Sequence, residues 1–446
     1  MLYHFVARAY IPQQNIFNQE NSLRISVIEG NYGEFVLENN SLVKDSVLQS
    51  NLDNIKDQNI VSTNTLERAM LIINDTPGVQ ISKAEVRPGQ KVGTSDFLIG
   101  ADASKKYSGY ILGDNYGSQY TGKHRIMAGA DINSPFKIGD KLSLSALSSE
   151  DAGLLNGRVA YEFPLHANGL RSEISYSKTA YELGSTYKNL DAVGNSDSVS
   201  LRVDYPYIRS RLENLNVYAD VSYNKMSDEI KSTNTQTKKD SYVLKVGTDY
   251  TKDSVFLNKN SQTRAGLSLT VGDLNFDDKS DKDLDEAGAK TNGRFSKINV
   301  ELGQDFELTD KLKWENSLQM QYALGNKNLD GSQDLSIGGI NGVKFYPDGE
   351  ASAENGYILS TELLYALPNF KDLNSSVSVF YDVGRTFMSR NITNEKSKTL
   401  QSIGIGYYGS YKDMFVNTHL AHNIAHDVTA ENNYSNRFLV QAGWVF

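Results

Sequence analysis

Polar and apolar positions alternate from residue 107 to the C-terminus in about sixteen stretches of roughly ten to fifteen residues each. Successive side chains of a β-strand point to opposite faces, so this period of two predicts strands with one polar and one apolar face. The predicted spans are 107–116, 122–132, 140–149, 154–163, 168–178, 197–205, 213–225, 240–251, 262–273, 293–308, 311–324, 355–367, 374–386, 399–410, 413–422 and 436–446.

The predicted connections differ in length on the two sides of this array. Connections after even-numbered strands are short, whereas those after odd-numbered strands include all the long ones. The long connections are 179–196, 226–239, 274–292, 325–354, 387–398 and 423–435. One long and one short side is typical of an outer-membrane barrel. The pattern therefore predicts a mostly β protein, with a 16-stranded antiparallel transmembrane β-barrel over residues 105–446.

Residues 30–104 predict a small α+β domain in the order β-α-α-β-β. Strands are expected at 30–37, 79–86 and 94–103, with a weak helix at 43–55. A second helix carries an apolar stripe, and Asn64 three residues before Glu67 predicts its capping pair. An exposed edge of such a sheet could accept an extended peptide as an added strand. From the pattern alone, a generic α+β module fits as well.

Composition narrows the class of protein. The 446 residues are 39% hydrophobic, and no apolar run approaches the roughly 20 residues of a membrane helix, which excludes a helical membrane protein. The 26 Tyr and 17 Phe suit aromatic belts at bilayer interfaces. A net charge of −9 argues against a nucleic-acid partner. The absence of Cys fits a protein of the bacterial cell envelope. A water-soluble β-sandwich is the alternative that composition leaves open.

The two ends of the chain carry further signals. In the last strand one face is apolar throughout and ends in Trp444 and Phe446, which a bilayer accommodates and a soluble sandwich does not explain. At the start, the charged, apolar and small-residue order of a signal peptide is missing. Either the chain is not exported or the sequence begins inside a longer precursor, and the strand pattern that follows favours the second.

The candidate functional residues lie on a long loop and a later strand. The loop before the twelfth strand is about thirty residues long, a length typical of functional or disordered loops, and carries Lys344 at its tip. On strand 374–386, alternation places Asp382 toward the lumen, because a carboxylate facing lipid is unfavourable. A cation and a carboxylate inside a barrel suit a latch, which favours a transporter over an enzyme.

These motifs resemble the TpsB transporters of two-partner secretion, the haemolysin secretion/activation proteins, over nearly the whole chain. The segments 66–79 and 87–96 resemble their second polypeptide-transport-associated (POTRA) domain, here 30–104, and 1–29 resembles the tail of a truncated first one. The stretch 114–122 matches their first barrel hairpin. The terminal Phe446 resembles the signal that outer-membrane barrels present to the barrel-assembly machinery.

The resemblance is strongest at the loop, which looks like the family's sixth extracellular loop. The family's V-R-G-Y tip has an arginine that pairs with the aspartate of an F-x-D-x-G strand motif, which implies a gating latch of Lys344 and Asp382. Lysine keeps the charge but loses the bidentate fork, so a weaker or more mobile latch is expected. Phe345 stands where the family has a small residue. The other matched positions are Gly338, Gly339, Val343, Tyr346, Phe380 and Gly384.

The resemblance implies the outer-membrane component of a two-partner secretion system. Its periplasmic POTRA domain would capture an unfolded exoprotein, an adhesin or haemolysin with an N-terminal secretion domain, for passage through the lipid-embedded barrel. No nucleotide or other cofactor is implied. Two alternatives remain at this point: a barrel-assembly factor of the BamA or TamA type, and a passive porin.

Other possible sites are set aside. His419, His422 and His426 do not converge under a two-residue alternation, so we expect no metal site there. The acidic run 277–286 lacks the glycine and final glutamate of a calcium loop. No nucleophile elbow, phosphate loop or Cys/His cluster is found, so we predict no catalytic residues and no enzyme activity.

Overall fold

The computed structural model describes residues 7–13, 25–56, 61–389, 397–425 and 435–446. Near the N-terminus, β1 (Ala7–Tyr10) and β2 (Ser26–Glu29) form a two-stranded antiparallel sheet. A small α/β unit follows. Its elements are β3 (Asn31–Asn40), α1 (Asp45–Lys56), α2 (Thr63–Asn74), β4 (Val79–Pro88) and β5 (Thr94–Ala103). The predicted β-α-α-β-β order is confirmed.

The sheet of the α/β unit has the order β3-β5-β4, with β5 parallel to β3 and antiparallel to β4. Both helices pack on it through an apolar core in which Leu48, Leu52 and Ile73 are fully buried. Helix α2 begins at Thr63, one residue before the expected cap. The predicted pair of Asn64 and Glu67 is wrong, because the Glu67 carboxylate instead accepts a hydrogen bond from the Arg211 amide in the barrel.

The remaining chain forms a closed barrel of sixteen antiparallel strands, which confirms the predicted fold class. The first eleven are β6 (Tyr107–Asp114), β7 (Arg125–Asn133), β8 (Lys141–Ser149), β9 (Leu154–Pro164), β10 (Arg171–Glu182), β11 (Ala192–Arg209), β12 (Glu213–Ile230), β13 (Thr235–Phe256), β14 (Lys259–Phe276), β15 (Gly293–Thr309) and β16 (Leu312–Ala323). Helix α3 (Lys279–Ala287) lies between β14 and β15. Among the described residues, no helix has the length and apolar character that a bilayer span requires.

The last five barrel strands follow a loop that carries two short strands, β17 (Leu335–Ser336) and β18 (Ser352–Ala353). These five are β19 (Asn355–Ala366), β20 (Leu373–Phe387), β21 (Lys398–Tyr411), β22 (Met414–Asn423) and β23 (Asn436–Val445). Strand β23 pairs with β6 and closes the barrel. Phe438 and Trp444 on β23 are exposed on the outer surface, as the apolar face of the last strand predicted.

Two of the predicted long connections are wrong. Half of 179–196 and most of 226–239 is strand, because β10 to β13 continue until only 183–191 and 231–234 separate them. The added part of their ladder is mostly polar, so the alternation fades although the backbone pairing continues. The predicted connection 274–292 contains α3. The connections 387–398 and 423–435 lie largely outside the described residues.

The α/β unit contacts the barrel at the end with the short connections. Arg209 of β11 donates to both carboxylate oxygens of Asp75, at 2.7 and 2.8 Å. Arg68 of α2 donates to the carbonyls of Tyr207 and Asn168, at 3.4 and 3.3 Å. These contacts place the unit beside one mouth of the barrel.

Candidate functional site

The connection between β16 and β19, residues 324–354, folds back against the barrel wall. Strands β17 and β18 pair at its base, and beyond them the Ile337 amide donates to Ala351 and the Val343 amide to Ile337, both at 2.9 Å. The tip turns at Gly338 and Gly339. Gly339 has φ of +92°, a conformation that side chains other than glycine rarely adopt. A Cβ on Gly338 would lie 2.2 Å from the Pro347 carbonyl oxygen.

Lys344, at the tip, lies against Asp382 of β20. The lysine Nζ is 3.0 Å from Oδ1 and 3.4 Å from Oδ2 of the carboxylate, and the Lys344 amide donates to Oδ2 at 3.2 Å. Ser402 of β21 also donates to Oδ2, at 3.3 Å. Asp382 is fully buried and Lys344 is 8% exposed. The backbone amide and the serine thus supply donors in the place of a guanidinium fork.

The ammonium of Lys344 also lies on an aromatic face. Its Nζ is 4.3 Å from the centroid of the Phe380 ring, within the range of cation–π attraction. Phe380 and Asp382 share the lumen face of β20, as alternation predicted, so one strand supplies both the carboxylate and the ring. A buried lysine needs such partners, because removing a charge from water without compensation is strongly unfavourable.

An apolar cluster surrounds this pair. Phe345 is 6% exposed and packs edge to face on the fully buried Tyr346, with 5.0 Å between the ring centroids. The Tyr346 hydroxyl donates to Asn423 of β22 at 2.7 Å. The larger residue at position 345 is therefore accommodated inside the lumen. The other cluster members are Ile337, Val343, Ala351, Ile358, Phe380, Leu400 and Ala421.

Gly384 of β20 allows the loop to approach the strand closely. A Cβ at this position would lie 3.0 Å from Ile337 Cβ and 3.2 Å from Val343 Cγ2. The strand motif therefore has a geometric meaning: Phe380 and Asp382 contact the lysine, and Gly384 makes room for the loop backbone.

Three further residues lie near the lysine: Glu362 and Tyr408, which the sequence analysis missed, and His419, which it considered only as a metal ligand. Glu362 of β19 is 3.9 Å from the Lys344 Nζ. Its carboxylate accepts from the Tyr408 hydroxyl at 2.6 Å, and His419 Nε2 lies 3.0 Å from the same hydroxyl. Alternation places Glu362 on a lumen face, and that signal could have identified it. The convergence of all three depends on the register between strands.

The structure also shows where the residues lie that the sequence analysis set aside as possible metal and calcium sites. His419 lies in the lumen wall, His422 Nδ1 is 2.9 Å from Asn436 Oδ1, and His426 lies outside the described residues. In the described part of the chain no three potential ligands come together to hold a metal ion. Within the acidic run, Asp285 accepts hydrogen bonds from Thr291 and from the amide of Asn292, which closes the turn after α3.

A group of three carboxylates lies near the base of the loop. Lys239 Nζ is 2.7 Å from Asp330 Oδ2, and Lys297 Nζ donates to the Gln333 carbonyl at 2.7 Å. Burial, followed by the negative charges of Glu354 and Asp330, raises the pKa of the Asp334 carboxyl to about 7. The base of the loop therefore contains an acid that titrates near neutral pH.

A closed sixteen-stranded barrel, a small α/β unit at one mouth and a long loop folded into the lumen define an outer-membrane transporter barrel. The family model of the haemolysin secretion/activation protein ShlB/FhaC/HecB matches residues 93–409. The chain belongs to this family. It is an outer-membrane transporter of the two-partner secretion type, with a secreted exoprotein as its partner.

Individual proteins agree with this assignment. The heme/hemopexin transporter protein HuxB of Haemophilus influenzae strain 86-028NP is 29% identical, over 90% of this chain and 71% of HuxB. The structure of CdiB from Escherichia coli matches with a TM-score of 0.82 at 18% identity, over 99% of this chain and 80% of CdiB. BamA from Haemophilus ducreyi matches with a TM-score of 0.62 at 14% identity, over 99% and 90%. The two structures show a shared fold.

Proposed function

We propose that Lys344 and Asp382 form a latch that keeps the loop in the lumen and that is released when the exoprotein passes. The observation that carries this proposal is the buried contact between Nζ and the carboxylate, 3.0 Å long. The loop tip makes it with a strand 38 residues further along the chain. Gly338, Gly339, Val343, Phe345, Tyr346, Phe380 and Gly384 serve to place the loop.

A latch of this kind is releasable because its two partners are charged. Both groups regain favourable hydration when the loop leaves, whereas apolar surfaces do not. An unfolded polypeptide in the lumen would also offer amides and carbonyls to the same groups. No nucleotide is required if folding of the exoprotein outside the cell removes the unfolded form from the equilibrium.

The α/β unit, within residues 30–104, is proposed as the second POTRA domain, and 1–29 as the tail of a first. Their proposed role is to capture the unfolded exoprotein, of the adhesin or haemolysin type, in the periplasm. Support comes from the sheet order, which leaves β3 and β4 at the edges where an extended peptide can pair. Phe446 is proposed as the signal to the barrel-assembly machinery before the barrel enters lipid.

The test is secretion of the cognate exoprotein when it is co-expressed with this transporter. Lys344→Ala and Asp382→Ala are each expected to reduce the exoprotein in the medium sharply, whereas Lys344→Arg should preserve it. Asp191→Ala is the matched control, since Asp191 pairs with Lys231 in an exposed connection of the same barrel.

The outcomes separate the alternatives once heat-modifiable migration shows that every variant has assembled. Secretion that persists in both alanine variants would leave the transporter intact and refute the latch. No secretion by the parent protein, with defects instead in other outer-membrane barrels, would point to the assembly-factor function.

A further inference from the structure

A second polar network contacts the same loop four residues after Lys344. Arg125 of β7 donates to both carboxylate oxygens of Asp114 on β6, from Nε at 2.8 Å and from Nη2 at 3.2 Å. Its remaining Nη1 donates to Oδ2 of Asp348 in the loop, at 3.2 Å. The Asp114 side chain is fully buried and that of Arg125 is 14% exposed, whereas that of Asp348 is 54% exposed.

This network adjoins the place where the barrel closes. Five residue pairs join β23 to β6, and Phe446 and Gly109 extend them by two backbone hydrogen bonds, whereas nine pairs join β22 to β23. Asn115 extends the short seam with its side chain, which accepts from the Val440 amide at 2.8 Å and donates to the Phe438 carbonyl at 2.9 Å. The Asn115 amide also donates to the Val440 carbonyl at 3.2 Å, so side-chain hydrogen bonds supplement the backbone ladder at the seam.

The last strand contacts the loop as well. Arg437 of β23 donates to the carbonyl of Phe345 at 3.4 Å and to the carbonyl of Gly117 at 3.1 Å. One guanidinium therefore links β23, the connection after β6 and the loop tip. The loop contacts both sides of the seam through Arg437 and Arg125.

We propose that Asp114, Arg125, Asp348 and Arg437 form a seam clasp, a second attachment that positions the loop across the junction of the first and last strands. Arg125 is the fixed part of the clasp, because both oxygens of the buried Asp114 orient its guanidinium. Asp348 is the detachable part, since its carboxylate is half exposed and regains water when it leaves.

The order of the strands in the barrel shows which part of the wall the two loop attachments span. Strand β20, which carries Asp382, is separated from β7 by β21, β22, β23 and β6. Lys344 and Asp348 therefore fasten one short stretch of loop to the two ends of an arc that contains the seam. Widening this arc requires one of the two attachments to break. The seam clasp concerns the position of the loop and holds whether or not the latch controls secretion.

The experiment uses the absence of cysteine in the native sequence. Val343 lies in the loop itself and is fully buried when the loop is docked, so Val343→Cys provides a thiol that a maleimide reaches only when the loop leaves. Labelling rates are compared in assembled protein carrying Asp348→Asn, Lys344→Ala, or both. Asp348 is varied because loss of Arg125 would leave the buried Asp114 unpaired and endanger assembly.

Asp348→Asn is expected to raise the labelling rate about two- to fivefold, the range that partly exposed ion pairs give. In the double variant the two effects should multiply, because the attachments contact different strands. Asp348→Glu should restore the native rate. Asp191→Asn, in the exposed pair with Lys231, should leave the rate unchanged.

An unchanged rate for Asp348→Asn in both backgrounds would overturn the seam clasp. So would a rise that accompanies a lower temperature for loss of heat-modifiable migration, since that would indicate a general weakening of the barrel. Secretion is measured in the same strains. If Lys344→Ala leaves secretion intact, the latch fails while the seam clasp is still judged by labelling.

Discussion

The α/β unit and the barrel lumen are held together by different kinds of interaction. The core of the α/β unit is apolar, with Leu48, Leu52 and Ile73 fully removed from water. In the lumen the buried groups include Lys344 and Asp382, together with Glu354, Gln321 and Ser402. Apolar burial stabilises a permanent core because exposing these side chains to water is unfavourable and no new interaction compensates for it. When paired polar groups separate, hydrogen bonds to water replace the bonds between them, and this suits a loop that has to move.

The apolar cluster around the loop tip limits this contrast. Val343, Phe345 and Tyr346 bury apolar surface next to the ion pair, so the loop is held by both kinds of interaction. The comparison therefore predicts that single changes in the lumen release the loop without unfolding the barrel. Single changes in the α/β core should instead unfold that unit and leave the loop in place.

The largest effect is expected from Asp382→Ala. The change leaves the ammonium of Lys344 buried without its carboxylate, and breaking a buried pair in this way costs about 3–5 kcal/mol. Labelling of Val343→Cys should then rise by more than about a hundredfold, since about 1.4 kcal/mol corresponds to a factor of ten. Lys344→Met combined with Asp382→Leu is the control and should label near the native rate. Native-like labelling of Asp382→Ala alone would show that apolar contacts hold the loop.

Leu52→Ala should destabilise the α/β unit by about 2–5 kcal/mol, because the fully buried side chain leaves a cavity in a small core. Hydrogen exchange of residues 31–56 and 61–103 and limited proteolysis measure this loss. The barrel should keep its heat-modifiable migration, and Val343→Cys should label at the native rate. Faster labelling of the loop would mean that the α/β unit and the loop are energetically coupled, which would contradict their independent stabilisation.

Gly384→Ala is expected to weaken loop docking by about 1–3 kcal/mol, the usual result of overpacking. The added methyl would lie 3.0 Å from Ile337 and 3.2 Å from Val343 and would push the loop away from β20. Gly331→Ala is a matched control in the same loop, because a Cβ there meets no atom within 4 Å. Equal labelling in the two variants would exclude close approach as the reason for the glycine.

The smallest effect concerns pH. The pKa of Asp334 is raised to about 7 when the loop is docked and should fall to its ordinary value near 4 when the loop leaves. A raised pKa stabilises the docked state fully at low pH, and this contribution is lost as the pH rises through about 7. Between pH 6 and pH 8 the docked loop should weaken by at most about tenfold.

This pH dependence is measured as the labelling rate of Val343→Cys divided by that of the exposed Asn341→Cys, which removes the titration of the thiol itself. Asp334→Asn should abolish the dependence. Glu354, Asp330 and Lys297 are the charged groups that act on Asp334, so a dependence that survives Asp334→Asn would move the titration to one of these neighbours.

Much of the fold was predictable because alternation is a local signal. Sixteen strands, the apolar outer face of β23 and the lumen position of Asp382 all follow from a period of two read over about ten residues. The predicted strand ends were wrong where the alternation ends but the strand pairing continues. Strands β10 to β13 extend beyond the apolar band through backbone hydrogen bonds, which leave no pattern in the side chains.

The site was partly predictable. Glycines at 338 and 339, the charge at 344 and the lumen face of residues 380, 382 and 384 could all be read from the chain. Their roles in gating and loop placement stay predictions. Glu362 and Tyr408 escaped notice, and His419 was considered only as a metal ligand, because each is an ordinary strand residue until barrel register brings the three side chains together.

The sequence by itself determined which faces meet lipid, which meet the lumen, and which loop is long enough to enter it, since these depend on neighbours a few positions apart. Apart from the pairing with Asp382 that the family resemblance implied, only the tertiary structure decided which charged groups the loop contacts. Arg125 and Asp348 are separated by 223 positions, and Asn115 and Phe438 by 323. Such contacts exist because the sheet closes on itself at one particular register, and no local pattern encodes that closure.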